Sequence, residues 1–246
     1  MRARILIALA LVGALAGCQE SGFDESKETQ RPLKVQDAMN PLTGTKVPGQ
    51  AERPLTLTRD TFGDTVALRV RPVAAVFEGG IPPYLRRATR GIKILHSVDL
   101  GAIEAASPDV ILGAKESQGD QYDDLKKIAP TIMSEGFDWK LNTRLHGEAL
   151  GRTNDAEALL TDWDNRVARV KRAIGDRKLS IVVGLGPGVG DFGLDPDSFA
   201  GSILADVGIK PGHGGDEVLH VTAGQEWVGG GVLAARAVLA DIQRAL

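Results

Sequence analysis

Residues 99–133 read DLGAIEAASPDVILGAKESQGDQYDDLKKIAPTIM, and this stretch decides the fold. Asp99 is a good N-cap for a helix, and Pro108 precedes a short apolar run of the kind that forms a buried strand. The predicted elements are a helix over 100–106, a strand over 109–112, a helix over 120–128 and a strand over 130–133. Strands that alternate with helices over short loops form βα units, which predicts an α/β fold with a parallel sheet.

The same alternation of strand and helix patterns extends toward the N-terminus as far as Ala51. Apolar bursts predict strands over 55–58, 72–77 and 92–95, and amphipathic stretches predict helices over 61–70 and 84–89. This half of the chain is therefore expected to form one parallel sheet with its helices.

A different pattern follows, over residues 141–174. Apolar side chains recur at helical spacing through Leu145, Leu159, Trp163 and Val170. An uninterrupted helix of this length would reach about 50 Å. Gly151 lies inside the pattern, so a kink or break there is the alternative.

The rest of the chain offers less regular pattern. Residues 179–183 read as a strand, Ser198 can cap a helix over 199–207, and 232–246 is an amphipathic helix. The segment 208–224 is rich in glycine and is predicted to be irregular. Too few residues remain here for a sheet as large as the first, because each βαβ unit takes about 30 residues.

Composition excludes several classes of protein. The 246 residues are 43% hydrophobic and 25% charged, so the chain can bury a real core. Its one cysteine excludes an intrachain disulfide and a thiolate zinc site. The 29 basic residues are outnumbered by 32 acidic ones, which gives no electrostatic footprint for nucleic acid.

The single cysteine, Cys18, follows a segment typical of secretion. Arg2 and Arg4 precede an uncharged run over 5–16, and LAGC at 15–18 places small residues before the cysteine. Such a run spans about 18 Å as a helix, short of the roughly 30 Å membrane core. Residues 1–17 are therefore predicted to be a signal peptide. The LAGC motif resembles the lipobox of bacterial lipoproteins, which implies lipidation of Cys18 after cleavage; an ordinary signal peptide is the alternative.

Residues 18–50 are predicted to be a tether behind this anchor. They are polar, contain proline and show no periodicity. The part from about Val35 onward is the exception, since it can fold against the body as an edge element.

Taken together, several segments resemble iron-siderophore binding proteins of bacterial ABC importers. They are GGIPPYL at 79–85, the stretch 99–132, EALGRTNDAEALL at 148–160, PDSFAGSILADVG at 196–208 and WVGGGVLAARAVLADIQRAL at 227–246. The resemblance covers nearly all of 54–211 and 226–246. Their order, behind a lipobox, carries the assignment.

The resemblance implies two Rossmann-like lobes, each with a parallel sheet, joined by one long α-helix. The domains expected are an N-terminal ligand-binding lobe over 51–140, the connecting helix over 141–177 and a C-terminal lobe over 178–246. The family carries further βα units between about 215 and 225, so the second lobe is expected to be truncated.

The cargo implied by the resemblance is a ferric siderophore held between the lobes. Its iron is already coordinated, so the protein needs no metal ligand of its own; it needs cationic donors and flat aromatic walls. The first lobe supplies Arg59 after its first strand, Tyr84 and Arg86 after GGIPP in the loop that the family uses, and Lys115, Tyr122 and Trp139 in or beside strand-end loops. The second lobe supplies the aromatic candidates Phe192 and Trp227. These eight residues are the candidates for ligand binding. Trp139 is preferred to Trp163, whose helical spacing indicates a core position.

Other chemistries find little support in the sequence. The run GLGPGVG at 184–190 fails the dinucleotide spacing GxGxxG, because Val189 and Asp191 stand where glycine is needed. His213 and His220 form the only close histidine pair, with Asp216 and Glu217 between them, so a weak adventitious metal site is the most this loop suggests. Neither a nucleophile motif nor paired carboxylates stand out, so no enzyme and no cofactor are predicted.

The leading hypothesis is an extracytoplasmic solute-binding lipoprotein for iron transport. It would be a monomer anchored in the cell membrane through Cys18, and would pass its cargo to an ABC importer permease without catalysis. The family docks on its permease through a glutamate at the position that Gly101 occupies here; Glu104, one turn on, is the candidate to replace it. The alternatives are a degenerate or truncated relative without ligand capture, or a receptor of this fold for haem, cobalamin or a metal ion.

Overall fold

The computed structural model describes residues 31–187, 189–190 and 193–246. The predicted signal peptide, Cys18 and Phe192 lie outside the described residues.

Ten strands and eight α-helices make up the described part of the chain. The strands are β1 Leu33–Val35, β2 Thr45–Val47, β3 Pro54–Thr56, β4 Ala74–Val76, β5 Lys93–Leu95, β6 Val110–Ala114, β7 Thr131–Ser134, β8 Leu179–Leu185, β9 Lys210–Pro211 and β10 Glu217–Ala223. The α-helices are α1 Arg59–Ala67, α2 Leu100–Ala105, α3 Lys115–Gln118, α4 Tyr122–Ile128, α5 Trp139–Ala149, α6 Thr153–Ile174, α7 Phe199–Val207 and α8 Gly231–Ala245. Short 3₁₀ turns cover Pro83–Leu85 and Gly119–Gln121.

The first sheet contains five parallel strands in the order β5-β4-β3-β6-β7. Leu55 in β3 pairs with Ala74 on one side and Ile111 on the other. The chain builds outward from β3 to β5 and then returns to β6, so the strand order reverses between β3 and β6. Open α/β sheets bind ligands outside the carboxyl ends of their strands at such a reversal.

Side-chain caps set the starts of several helices around this sheet. Thr58 and Thr61 form a reciprocal capping box at α1, and Asp138 accepts the N–H groups of Lys140 and Leu141 at α5. The predicted caps Asp99 and Ser198 are confirmed, since they accept from Ala102 and Gly201 respectively.

The second sheet is smaller, with three parallel strands in the order β10-β8-β9. The prediction that 208–224 is irregular is wrong, because β10 pairs with β8 from Glu217↔Leu179 to Ala223↔Leu185. Its side chains alternate, with Leu219, Val221 and Ala223 buried. This period of two is the ordinary signal of a strand. The α/β class with parallel sheets is confirmed.

The helical pattern over 141–174 is two helices, not one. Gly151 adopts φ +67° between α5 and α6, and a Cβ there would clash with the carbonyl oxygen of Gly49. Glycine is therefore required at this break. The 22-residue α6, about 33 Å long, connects the two sheets. Ala156 at its start packs in the first half of the molecule, and Val170 near its end packs in the second.

The end of the segment predicted as a tether lies against the body. Strands β1 and β2 form an antiparallel pair in which Val35 faces Thr45. Val35 and Val47 are buried against Val110 and Leu150. This hairpin forms its own two-stranded sheet and does not extend an edge of the first sheet.

The last helix, α8, joins both halves of the molecule. Val238 and Ile242 are buried in the second core with Trp163 and Trp227, whereas Leu233 packs beside Phe62 of α1. Within the described residues, no helix is both long and apolar enough to cross a bilayer.

Candidate ligand-binding cleft

A cavity of about 200 Å³ lies at the carboxyl ends of the first sheet, beside the strand reversal. Its walls come from the segments that follow β3, β6 and β7 and from the segment that precedes α8. The lining residues include Thr58, Asp60, Asp64, Glu116, Ser117, Ser134, Phe137, Trp139, Asn142, His146, Phe199 and 228–231. The cavity therefore lies between the two halves of the chain.

A second hollow of about 300 Å³ adjoins it beyond the end of β4. The two share Thr58, Asp60, Ser117 and Val228 in their walls, so they form one cleft. Arg59 and Glu78 line this outer part. Small-molecule sites commonly occupy about 300–1,000 Å³, which the two parts reach together.

The floor of the cavity is a buried polar cluster around Asp64. This side chain is fully buried and accepts hydrogen bonds from Val232 N (2.8 Å) and Thr143 Oγ1 (3.2 Å). His146 Nδ1 lies 2.8 Å from Asp64 Oδ2. Because a carboxylate accepts, the ring nitrogen donates there. The cluster joins α1, α5 and the start of α8.

Asp60, one turn before Asp64 on α1, contacts the same start of α8. Its Oδ1 accepts the N–H of Gly230 at 2.7 Å. A Cβ at Gly230 would lie 2.6 Å from Asp60, and one at Gly231 would lie 2.7 Å from Asp64. The glycines therefore let the helix N-terminus, which favours negative charge, approach both carboxyl groups.

Burial dominates the electrostatics of this region. Desolvation raises the pKa of Asp60 above its usual 3.8, and the charge of Asp64 adds to the rise, against the lowering effect of the Gly230 N–H. Desolvation also raises the pKa of Tyr84, and the nearby charge of Asp60 raises it further. Tyr84 Oη lies behind the glycine segment, 3.0 Å from the position of a Cβ at Gly229.

Two buried nitrogens at the cavity have no hydrogen-bond partner among the described residues. They are Nε1 of Trp139 and Nε2 of His146, whose side chains line the cavity although the residues are only 2% and 1% exposed. Trp139 packs edge-on against Trp163, with ring centroids 4.9 Å apart. Buried polar groups are usually satisfied, so these two nitrogens point to a binding partner.

The rim of the cavity carries an exposed aromatic ring. Phe137 is 70% exposed and contributes to the lining. The turn before it is held by Glu116 Oε1, which accepts the Gly136 N–H at 2.7 Å, and by Asn142 Nδ2, which donates to the Gly136 carbonyl at 3.3 Å. An exposed phenylalanine on a braced turn offers a flat surface for an organic ligand.

The predicted ligand-binding residues divide according to their position. Trp139 lines the cavity, Arg59 lines the outer hollow, and Tyr84 lies behind the wall. Arg86 and Lys115 are exposed, and Lys115 forms an ion pair with Glu135 at 2.9 Å. The structure therefore places two of the candidates, Trp139 and Arg59, in the lining of the cleft.

Tyr122 and Trp227 occupy core positions instead. Tyr122 is 8% exposed and its hydroxyl accepts a hydrogen bond from Asn40. Trp227 is 1% exposed and donates from Nε1 to Asp241 at 2.8 Å. Neither residue is among those that line the cavity or the hollow. Glu104, the predicted permease contact, is exposed on α2.

Sequence reasoning did not select the residues that form the cavity floor and rim. Asp60, Asp64 and His146 are isolated polar positions in amphipathic helices, and they become a cluster only when α1, α5 and α8 pack together. Phe137 had a signal that could have found it, since it lies in the same strand-end turn as Trp139.

The described residues form no recognisable metal-binding site. Among residues 31–187, 189–190 and 193–246, no group of three or more histidine, cysteine, aspartate or glutamate side chains is arranged to hold a metal ion. His213 and His220 are both exposed. His213 lies in the Gly-rich stretch before β10, and His220 lies within β10.

Comparisons with curated proteins show clear relatives. The chain is 30% identical over 218 residues to the "Probable siderophore-binding lipoprotein YfiY" of Bacillus subtilis, which covers 84% of this chain and 66% of that protein. It is 26% identical over 213 residues to the "Iron(3+)-hydroxamate-binding protein FhuD" of the same organism, covering 82% of this chain and 67% of that protein. The chain thus spans about two thirds of the length of these relatives.

The fold and the family agree with these relatives. The crystal structure of holo-ViuP superposes with a TM-score of 0.71 at 19% identity, covering 87% of this chain and 95% of that one. The periplasmic binding protein family model matches residues 92–217, about half of the chain. With its parallel sheets and a cleft at their carboxyl ends, the chain belongs to the periplasmic binding protein family.

Proposed function

We propose that this protein is an extracytoplasmic receptor that binds a ferric siderophore for an ABC importer of iron. The observation that carries the proposal is the cleft at the strand reversal of the first sheet, closed on its far side by 228–231. The similarity to relatives named for siderophore and iron(3+)-hydroxamate binding supplies the class of cargo. Binding and release would complete its task, without catalysis.

Within the proposed site, the aromatic contact comes from the rim. Phe137 would stack on the organic shell, and Trp139 Nε1 would donate to one of its oxygens. Arg59 would contact the part of the complex that reaches the outer hollow. Of the remaining candidates, Arg86 and Lys115 are exposed cations outside the cleft lining, and Tyr84 would act from behind the glycine segment.

The proposal is tested by titrating the purified protein with ferric hydroxamates, ferric catecholates and haem while tryptophan fluorescence is followed. Trp139 is the tryptophan that lines the cavity, so saturable quenching by a ferric siderophore is expected. Phe137→Ala should weaken that binding by about two- to tenfold, since an aromatic contact contributes roughly 0.5–1.5 kcal/mol beyond its buried area.

Leu42→Ala is the matched control, because Leu42 is 89% exposed and lies outside the cleft lining. A protein that shows no saturable response to any ferric siderophore is no siderophore receptor. That result would favour a relative that has lost ligand capture. A response to haem alone would favour the receptor of another cargo.

Membrane attachment through Cys18 is the second part of the proposal. The preceding LAG sequence and the name of the lipoprotein relative support it. Cys18→Ala should move the protein from the membrane fraction to the soluble extracytoplasmic fraction, whereas Cys18→Ala protein that stays with the membrane would contradict the anchor.

Docking on the permease is proposed to use Glu104. Its exposure on α2 leaves the carboxylate available to a basic partner surface. Glu104→Ala should lower uptake of radioactive iron as the siderophore complex while leaving the dissociation constant of the purified protein unchanged. Glu52→Ala, another exposed glutamate, serves as control.

A further inference from the structure

The charges that line the cleft have an unexpected sign for a receptor of anionic complexes. Four carboxyl groups line the cavity and the hollow, from Asp60, Asp64, Glu78 and Glu116. One cationic side chain, Arg59, accompanies them in these two linings. A ferric tricatecholate or a carboxylate siderophore would bring several further negative charges into this environment, and like charges at close range repel.

The buried histidine adds the second observation. His146 Nδ1 donates to Asp64, so in the neutral form of the ring Nε2 carries the lone pair. That nitrogen has no partner among the described residues, although the ring is buried and lines the cavity. A ligand that donates a hydrogen bond would satisfy it.

The third observation concerns the floor carboxyl groups themselves. Asp64 already accepts from Val232 N, Thr143 Oγ1 and His146 Nδ1. Asp60 accepts from Gly230 N, and the cation among the lining residues, Arg59, lines the outer hollow and not the cavity. Buried carboxylates are stabilised by a cation or by several donors. A cationic donor placed in the cavity would supply both a counter-charge to Asp60 and a proton for the hydrogen bond to His146.

We infer that the cavity is a subsite for a protonated amine of the cargo, so that the receptor prefers a neutral ferric hydroxamate core that carries a free amino group. Trp139 Nε1, the other unpartnered nitrogen, is a donor and would bind an oxygen next to the amine. This inference rests on the proposed function and specifies its cargo.

Two probes that differ at one group test the inference. One is a linear ferric trihydroxamate with a terminal primary amine, and the other is the same complex after acetylation of that amine. Dissociation constants are measured by fluorescence quenching and calorimetry on the purified protein. The amine complex is expected to bind at least about tenfold more tightly than the acetylated one, as one charge-assisted hydrogen bond warrants.

Asp60→Asn should reduce this preference to near unity, because the amide keeps an oxygen for the Gly230 N–H but carries no charge. Asp176→Asn makes the same chemical change at an exposed position and should preserve the preference. If Asp60→Asn fails to fold, the comparison of the two probes on the parent protein still decides.

The outcomes separate the inference from the proposed function. Equal binding of both probes, tighter binding of a ferric tricatecholate, or a preference that survives Asp60→Asn overturns the amine subsite while the receptor function stands. Binding of no ferric complex at all overturns both.

Discussion

At the scale of single residues, Asp60 determines how the start of α8 is held. Its carboxyl group accepts the N–H of Gly230 in a desolvated setting that raises its pKa. A neutral, protonated Asp60 is therefore favoured in the folded protein more than in the unfolded chain. The folded state binds more protons, so stability at this residue falls as pH rises.

The first prediction concerns Asp60→Asn and pH. The contribution of the Asp60 proton to the stability of the parent is complete below pH 3.8, its ordinary pKa, and is lost as pH rises through the raised folded value. The free energy of unfolding of Asp60→Asn, minus that of the parent, should therefore increase from about pH 4 to about pH 7. Urea unfolding at several pH values measures it. A difference that stays constant or decreases over this range would contradict the assignment.

Residue identities in the site were only partly predictable. Trp139 was expected because it follows a strand, and it lines the cavity. Trp227 was expected as an aromatic residue of the second lobe; it does not line the cavity or the hollow, and its Nε1 donates to Asp241, fourteen positions away on α8. The local sequence predicts that a tryptophan lies in a loop. It does not predict the orientation of the ring, because the contact that fixes the orientation comes from a residue distant in the chain.

At the scale of elements, the break between α5 and α6 shows how a glycine positions a helix. Gly151 combines φ +67° with contact to the backbone at Gly49 and Gln50. The hairpin β1–β2 approaches at this point, where Ala51 N donates to the Leu150 carbonyl. Any side chain at 151 would separate the hairpin's end from the helices.

The second prediction compares two glycines. Gly208→Ala, at φ +79° and ψ +24° with open space around its Cβ, should lower the free energy of unfolding by about 1–2 kcal/mol, the cost of a left-handed alanine. Gly151→Ala adds a backbone clash to the same strain and should cost about 1–3 kcal/mol more. Urea denaturation of both variants checks the order. Equal losses of unfolding free energy in the two variants would show that the hairpin can move away from residue 151 without lowering stability.

Helices and strands could be predicted where their hydrophobic pattern directly follows a capping residue. They were missed where glycines next to the pattern made the segment look irregular. The helix at 199–207 was predicted with its bounds, because Ser198 caps it and the apolar positions follow directly. Strand β10 was missed because Gly212, Gly214 and Gly215 precede it, although its own side chains alternate. The glycines lie in the connection that precedes β10. The alternation of buried and exposed side chains that follows them is the pattern that predicts a strand.

At the scale of the whole molecule, α6 and α8 bind the two sheets into one cooperative body. The first passes from Ala156 in one core to Val170 in the other, and the second packs on α1 and on the second core. The α/β class and parallel sheets followed from βα alternation in the sequence. The contact of α8 with α1 did not, since it joins residues about 170 positions apart, such as Asp60 and Gly230.

The third prediction is a single unfolding transition. All three tryptophans, Trp139, Trp163 and Trp227, belong to the second core, so fluorescence reports on that core alone. Circular dichroism reports on helices in both halves. The two urea transitions should coincide, because α8 cannot leave one core without disturbing the other. A fluorescence transition that precedes the loss of helix would show that the two sheets unfold separately.

The three glycines 229–231 have a consequence for how the proposed receptor could change its ligand preference. They line the cavity with backbone alone, and a Cβ at each would meet Tyr84, Asp60 or Asp64. A mutation there cannot reshape the pocket without lifting α8 from α1. Substitutions that change ligand preference are therefore expected on the opposite wall of the cavity. Phe137 is exposed there, so its side chain can be replaced without disturbing a core.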